Sequence, residues 1–188
     1  MLEFIQNLDW SILQWIQENL RCGFLDFLMP RLTVLGNHGE IWILSAVILL
    51  CTKKYRKYGI ILAVGLLLCL LIGNIWLKPW IARPRPSWLD PEVILLITNP
   101  SDYSFPSGHT FSSAVAATIL TLTNCRLGFL AIPLACLLAF SRLYLYVHFP
   151  SDILAAAVLG VLIGWLTFRL GEKFFDHYEQ KKLIPPSE

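Results

Sequence analysis

Residues 59–77 read GIILAVGLLLCLLIGNIWL, a run without a single charge that stops against Lys78. At about 1.5 Å of rise per residue such a helix is roughly 28 Å long, close to the thickness of a bilayer's hydrocarbon core. The same criterion, applied outward, selects 128–147 and 151–170, and nearly selects 107–123, each uncharged except near an end. Two weaker stretches precede them: 24–35, which carries Asp26 and Arg31, and 41–52, which is apolar but short. Both can cross if their ends snorkel or their neighbours shield them. The expectation is an all-α polytopic membrane bundle of about six transmembrane helices, with 1–188 forming one domain.

The composition agrees. Of 188 residues, 56% are hydrophobic and 15% charged, and the mean hydropathy is positive, far from the balance of a soluble domain. A formal charge of +2 on scattered basic residues gives no nucleic-acid surface. Cys22, Cys51, Cys69, Cys125 and Cys136 form no CxxC pair and read as free thiols used as small hydrophobes. In the first twenty residues, Leu2, Ile5, Leu8, Ile12, Trp15 and Ile16 recur at helical spacing, with Glu3, Gln6, Asp9 and Gln17 elsewhere on the wheel. This predicts an amphipathic helix lying at the membrane interface over 1–20; a signal peptide would have a basic start and an unbroken apolar core.

Lys53, Lys54, Arg56 and Lys57 cluster between the second and third spans, Arg126 lies between the fourth and fifth, and Arg169, Lys173, Lys181 and Lys182 gather near the end. The positive-inside rule makes these segments, and a tail over 171–188, cytoplasmic. Six spans then place both termini inside, and put the long 78–106 connection and the short turn at His148 on the outer face. The proline-rich connection carries WL and VILLI runs able to rest on the membrane surface.

Three polar clusters map to that outer face. Lys78, Arg83 and Arg85 stand in KPWIARPRP, stiffened by prolines, as a positive wall suited to an anion. Pro106-Ser107-Gly108-His109 opens a span, where helix-terminal amides bind phosphate and glycine permits close approach. In SRLYLYVHFPSD, Arg142 offers a bidentate donor, and His148 precedes Asp152 by four residues, about one helical turn. A carboxylate can then hold one imidazole nitrogen and leave the other as a directed nucleophile or base. His38 and Glu40, in GNHGE, fall on the same side as accessory candidates. The four histidines and the few acids show no metal-ligand spacing, so no metal or cofactor is expected.

Together the clusters resemble the type 2 phosphatidic acid phosphatase superfamily, particularly its small bacterial membrane-bound branch of undecaprenyl-diphosphatases and phosphatidylglycerophosphate phosphatases. The likeness rests on Lys78 with six residues before Arg85-Pro86, on Pro106-Ser107-Gly108-His109, and on Ser141-Arg142 with five residues before His148 and three more before Asp152. That spacing selects Arg85 over Arg83 and leaves Arg83 as an accessory. The resemblance implies that His148 attacks phosphorus to form a phosphohistidine, Asp152 fixes its tautomer, and His109 is the general acid. Lys78, Arg85, Arg142, Ser107 and the Gly108 amide would cradle the phosphate oxygens.

The expected substrate is a lipid phosphate held in the bilayer: undecaprenyl diphosphate on the outer face of a bacterial cytoplasmic membrane, or alternatively phosphatidylglycerophosphate or phosphatidic acid. A transporter would place charges or broken helices near the midplane, and a non-catalytic headgroup binder would be expected to lack His109 or His148.

Overall fold

A computed structural model describes residues 2–183. The described residues are helical or irregular, in the order α1 (Leu2–Asn19), α2 (Gly23–Val34), a 3₁₀ turn (Asn37–Gly39), α3 (Glu40–Cys51), α4 (Arg56–Cys69), a π-helical stretch (Leu70–Leu77), α5 (Lys78–Ile81), α6 (Pro86–Leu89), α7 (Gly108–Thr123), α8 (Cys125–Tyr144) and α9 (Pro150–Leu183). The membrane bundle expected from the sequence is the fold observed.

Helix α7 is its centre, packed on α4, α8 and α9 and burying Phe111, Val115, Ala116, Ile119 and Leu120. Contact with α9 is backbone-close, because a Cβ at Gly160 would stand 2.5 Å from Ala114 Cβ and 2.9 Å from Phe111 O. Small residues serve membrane helices in this way, since van der Waals contact rather than the hydrophobic effect joins them in lipid.

Among the described residues three helical stretches are long and apolar enough to cross a membrane, Arg56–Leu89, Cys125–Tyr144 and Pro150–Lys181; a fourth is added if Gly23–Val34 and Asn37–Cys51, bent by 46°, count as one. Helix α7, at about 24 Å, is shorter but enclosed by its neighbours. The count of six separate crossings is not confirmed, because α2 and α3 form one bent candidate span and α2 is tied to one end of the bundle. At its start Tyr144 Oη donates to Asp26 Oδ1 (2.7 Å), and at its end Arg142 Nη1 donates to Thr33 Oγ1 (2.6 Å). Twelve residues whose two ends both bond to 142–144 cannot reach the other face.

Helix α1 covers the same end. Gln17 donates to Tyr144 O (3.0 Å) and Asp9 accepts from Ser151 N (2.8 Å), while Leu13 and Ile16 pack on the 144–149 turn. Phe4, Leu8 and Trp15 remain exposed, the apolar arc expected of an interfacial helix. Helix α9 runs away from this end for about 50 Å. The described ends of the chain therefore lie at opposite ends of the bundle, whereas six full crossings would place both on one side.

The VILLI run also departs from expectation. Val93, Leu95, Leu96 and Ile97 pack inward against the clusters formed by α1, α2 and the 144–149 turn, and only Ile94 faces outward, 82% exposed. All five cysteines are free. The basic turns gather at the far end, where Lys57 pairs with Glu172 at 2.8 Å and Asn124 bonds Tyr55.

Candidate active site

The π-helical stretch delivers α4 to the site end and passes into α5, where Ala82 takes a left-handed φ of 49° and the helix stops. Pro84 and Pro86 forbid its continuation, since a residue before proline is pushed out of the α region. This break sends Arg83 and Arg85 to different places. Arg85 enters a cavity of about 720 Å³ whose polar end is lined by Asn74, Lys78, Arg85, Asp102, Gly108, His109, Arg142 and His148. Arg83 turns instead towards α1 and α9.

Lys78, Arg85 and Arg142 are buried together. Asp102, which sequence spacing did not single out, bridges two of them: Lys78 Nζ bonds its Oδ2, and Arg85 Nη2 donates to Oδ1 at 2.7 Å. Burial raises the Asp102 pKa, but hydrogen bonds and charge from Lys78 and Arg85 outweigh it and bring the value down to about 2. Arg85 Nε donates to Asp102 O (2.7 Å) and Nη1 to Val147 O (2.6 Å). Arg142 Nε is buried with no hydrogen-bond partner among the described residues. An orphaned charged donor costs several kcal/mol, and an anion in this cavity would relieve it.

His148 is buried and lies 3.1 Å from Arg85 Nη1 through Nε2. Its Nδ1 is 3.8 Å from Asp152 Oδ2, too far to bond. Ser104 stands between them, with Oγ 3.3 Å from Nδ1 and donating to Oδ2 at 2.5 Å. One hydroxyl has one proton, so Ser104 gives it to Asp152 and accepts from Nδ1–H. That tautomer leaves the Nε2 lone pair facing the cations. Burial, reinforced by Arg85, Arg142, Lys78 and His109, holds the His148 pKa well below the usual histidine range, so the ring is neutral. Asp152 Oδ2 also accepts from Phe149 N (2.8 Å).

His109 opens α7 and lines the cavity. Its Nε2 lies 3.1 Å from Thr33 O and 3.2 Å from Asn37 Oδ1. The carbonyl can only accept, so Nε2 carries the proton and Nδ1 remains for chemistry. Gly36 packs on this ring, leaving no room for a Cβ, which would meet Cδ2 at 2.6 Å. At Gly108 a Cβ would stand 3.3 Å from Asn74 Oδ1 and 4.0 Å from Lys78 Nζ, narrowing the polar end.

Of the other expected site residues, Ser107 is fully buried, its hydroxyl accepting from Thr110 at 3.1 Å, and is not among the cavity's lining residues. His38 lines the rim, with its side chain 90% exposed. Glu40 is exposed near His38 and does not line the cavity. Among the described residues no group of three or more His, Cys, Asp or Glu is placed to hold a metal ion.

Residues 57–176 match the PAP2 superfamily, whose signature the three motifs resemble. The chain belongs to the PAP2 superfamily. Over 147 residues it is 34% identical to an undecaprenyl-diphosphatase of Sulfolobus acidocaldarius, covering 78% of this chain and 70% of that one. Over 152 residues it is 30% identical to an undecaprenyl-diphosphatase of Bacillus subtilis, covering 79% and 76%. The crystal structure of a transmembrane PAP2-type phosphatidylglycerolphosphate phosphatase from Bacillus subtilis superposes with a TM-score of 0.70 at 25% identity, over 97% of this chain and 89% of that one. As a PAP2 protein with apolar spans and relatives named as lipid phosphatases, the chain is a membrane-embedded hydrolase of lipid phosphates. The matched segment holds the three motifs; α1, α2, the 3₁₀ turn and α3, which supply Thr33, Asn37 and the site's cover, lie outside it.

Proposed function

We propose that the protein removes the terminal phosphate of undecaprenyl diphosphate through a phosphohistidine on His148. The observation that carries this is the continuity of one cavity. Its polar end holds the three cations and both histidines, and its remainder is an apolar groove between α3 and α4 lined by Ile43, Val47, Leu50, Ala63, Leu66, Leu67 and Leu70. A phosphate at the cations and a long hydrocarbon chain along the groove fit together. The names of two relatives as undecaprenyl-diphosphatases favour a prenyl diphosphate over a phosphoglyceride.

In this reading Lys78, Arg85, Arg142 and the Gly108 amide hold the terminal phosphate, stabilising the charge that spreads over its equatorial oxygens in the transition state. His148 Nε2 attacks phosphorus; the bond to the bridging oxygen breaks and its electron pair leaves with undecaprenyl phosphate. Once the anionic diphosphate occupies the cavity and offsets its cations, His109 takes a second proton at Nδ1 and gives it to the departing oxygen. Deprotonated, it takes a proton from water as that water attacks the phosphohistidine, and cleavage of the P–N bond returns the lone pair to Nε2. Asp152, through Ser104, keeps the Nδ1 proton in place and offsets the positive ring. Basic turns at the far end favour a cytoplasm opposite the site, which supports a reaction facing outward in a bacterial cytoplasmic membrane.

The test is phosphate release by the purified protein, with EDTA present, from undecaprenyl diphosphate, phosphatidylglycerophosphate, phosphatidic acid and glucose 6-phosphate, beside His148→Ala. Preferred release from undecaprenyl diphosphate, lost in the variant, is expected. A preference for either phosphoglyceride would reassign the substrate, and full activity in His148→Ala would remove it as nucleophile.

A further inference from the structure

Arg83 is not needed to bind phosphate: it is absent from the cavity lining, yet its side chain is 18% exposed and four of its bonds are made. Nη1 donates to Ser151 Oγ (2.7 Å) and to Asp152 Oδ1 (2.5 Å). Nη2 donates to Gln6 Oε1 (2.9 Å) and Asp9 Oδ2 (2.7 Å). The guanidinium lies 4.2 Å over the Phe149 ring, fixed in plane as well as by its bonds. One side of the fork therefore holds the carboxylate behind His148, and the other holds the N-terminal helix.

Asp9 completes the connection. It is 2% exposed, and its Oδ1 accepts from Ser151 N at 2.8 Å while Oδ2 accepts from Ser151 Oγ at 2.5 Å. A buried carboxylate is retained only where it is paired. Here it also sits at the start of α9, where a negative charge is favoured by the helix dipole. Asp152 is the next residue of that same turn. Its Oδ2 is taken by Ser104 and Phe149 N, so Arg83 is what restrains Oδ1.

We propose that Asp9 and Arg83 are positioning residues, a relay by which helix α1 fixes the Asp152 carboxylate and, through Ser104, the attacking nitrogen of His148. The relay rests on the phosphohistidine reading proposed above. It assigns α1, which lies outside the matched family segment, a part in turnover as well as in membrane seating. Because the relay touches neither the phosphate cations nor the groove, its loss should appear in the chemical step rather than in substrate binding.

The test uses the full chain in lipid vesicles with undecaprenyl diphosphate as probe, comparing wild type, Asp9→Asn, Arg83→Gln, Arg83→Lys and the Asp9→Asn/Arg83→Gln double variant, with His148→Ala as blank. Asp9→Asn should lower kcat about tenfold with KM within about twofold, the scale of one charge-assisted bond. Arg83→Gln should lose at least as much, Arg83→Lys should recover part of that loss by keeping a charge beside Asp152, and the double variant should be no worse than Arg83→Gln alone. Wild-type kcat in Asp9→Asn, a loss confined to KM, or additive losses in the double variant would each overturn the relay. Should Asp9→Asn fail to fold, Gln6→Ala and Arg83→Lys decide the matter, with kcat lowered in both expected and kcat unchanged in both contrary. Turnover undiminished in His148→Ala would overturn the phosphohistidine reading and the relay with it; dependence on His148 without dependence on Asp9 or Arg83 overturns the relay alone.

Discussion

His148 and Asp152 do not touch: their facing atoms are 3.8 Å apart, and the Ser104 hydroxyl occupies the space between them. A pair that sequence spacing suggests as a direct contact is a three-member chain. Removing the middle member should therefore uncouple the outer two. Ser104→Ala is expected to lower kcat about tenfold, the cost of one buried hydrogen bond, with KM little changed. Ser104→Thr, which keeps the hydroxyl, should recover more than Ala does. Equal activity in Ser104→Ala and wild type, measured as phosphate release, would leave the hydroxyl a packing feature.

Asp102 lies across Lys78 and Arg85 as an incoming phosphate would. Held ionised by those cations, with a pKa near 2, it competes with any anion for them throughout the working pH range. Asp102→Asn removes the competing charge and leaves a side chain of the same shape. Inhibition by inorganic phosphate should tighten about tenfold, equivalent to about 1.4 kcal/mol, while product release slows and kcat falls. Weaker phosphate inhibition in the variant would mean that Asp102 organises the site rather than competing for it.

The membrane spans were legible because lipid leaves the backbone few choices, and length and charge alone mark 59–77, 128–147 and 151–170. Order and spacing of the motifs likewise brought Lys78, Arg85, Gly108, His109, Arg142 and His148 to one cavity. Helix α2 was counted as a span of its own because a short apolar stretch with Asp26 and Arg31 looks alike whether it crosses alone or forms half of a bent span. Asp9 carried an unused signal. Placed off the apolar arc in the helical wheel above, it in fact lies on the buried face, four and seven residues before Leu13 and Ile16, and a lone carboxylate there calls for a partner. Ser104, Asp102, Thr33 and Asn37 gave no such sign, since ordinary polar residues acquire their role only when distant segments fold together.

The neutral state of His148 has a consequence for stability. Burial, and then the nearby cations, depress its pKa in the folded protein, so below about pH 6.5 the unfolded chain takes up a proton that the folded chain refuses. The stability this group contributes is complete above that pH and is lost as pH falls. Thermal unfolding in detergent should show a midpoint that declines from pH 7 to pH 5, and declines less in His148→Gln, which has no proton to take up. Parallel declines in the two proteins would place the acid sensitivity elsewhere.

A tail-binding groove between α3 and α4 can be separated from the chemistry by blocking it far from the cations. Ala63 lines the groove but is exposed rather than part of the packed core, so a large side chain there fills the groove without disrupting the bundle. Ala63→Trp would displace at least two methylene groups of a bound chain, each worth about 0.8 kcal/mol, and should raise KM for undecaprenyl diphosphate about tenfold. A short soluble phosphate ester that never reaches the groove should be hydrolysed as by wild type. Ile132→Trp provides the control. It alters a second, largely apolar cavity of about 680 Å³ bounded by α7, α8 and α9, which none of the site's cations line. If both substrates suffered equally in Ala63→Trp, or if Ile132→Trp raised KM for the lipid as much, the chain would have to lie elsewhere, and the continuity of headgroup site and groove would no longer identify the substrate.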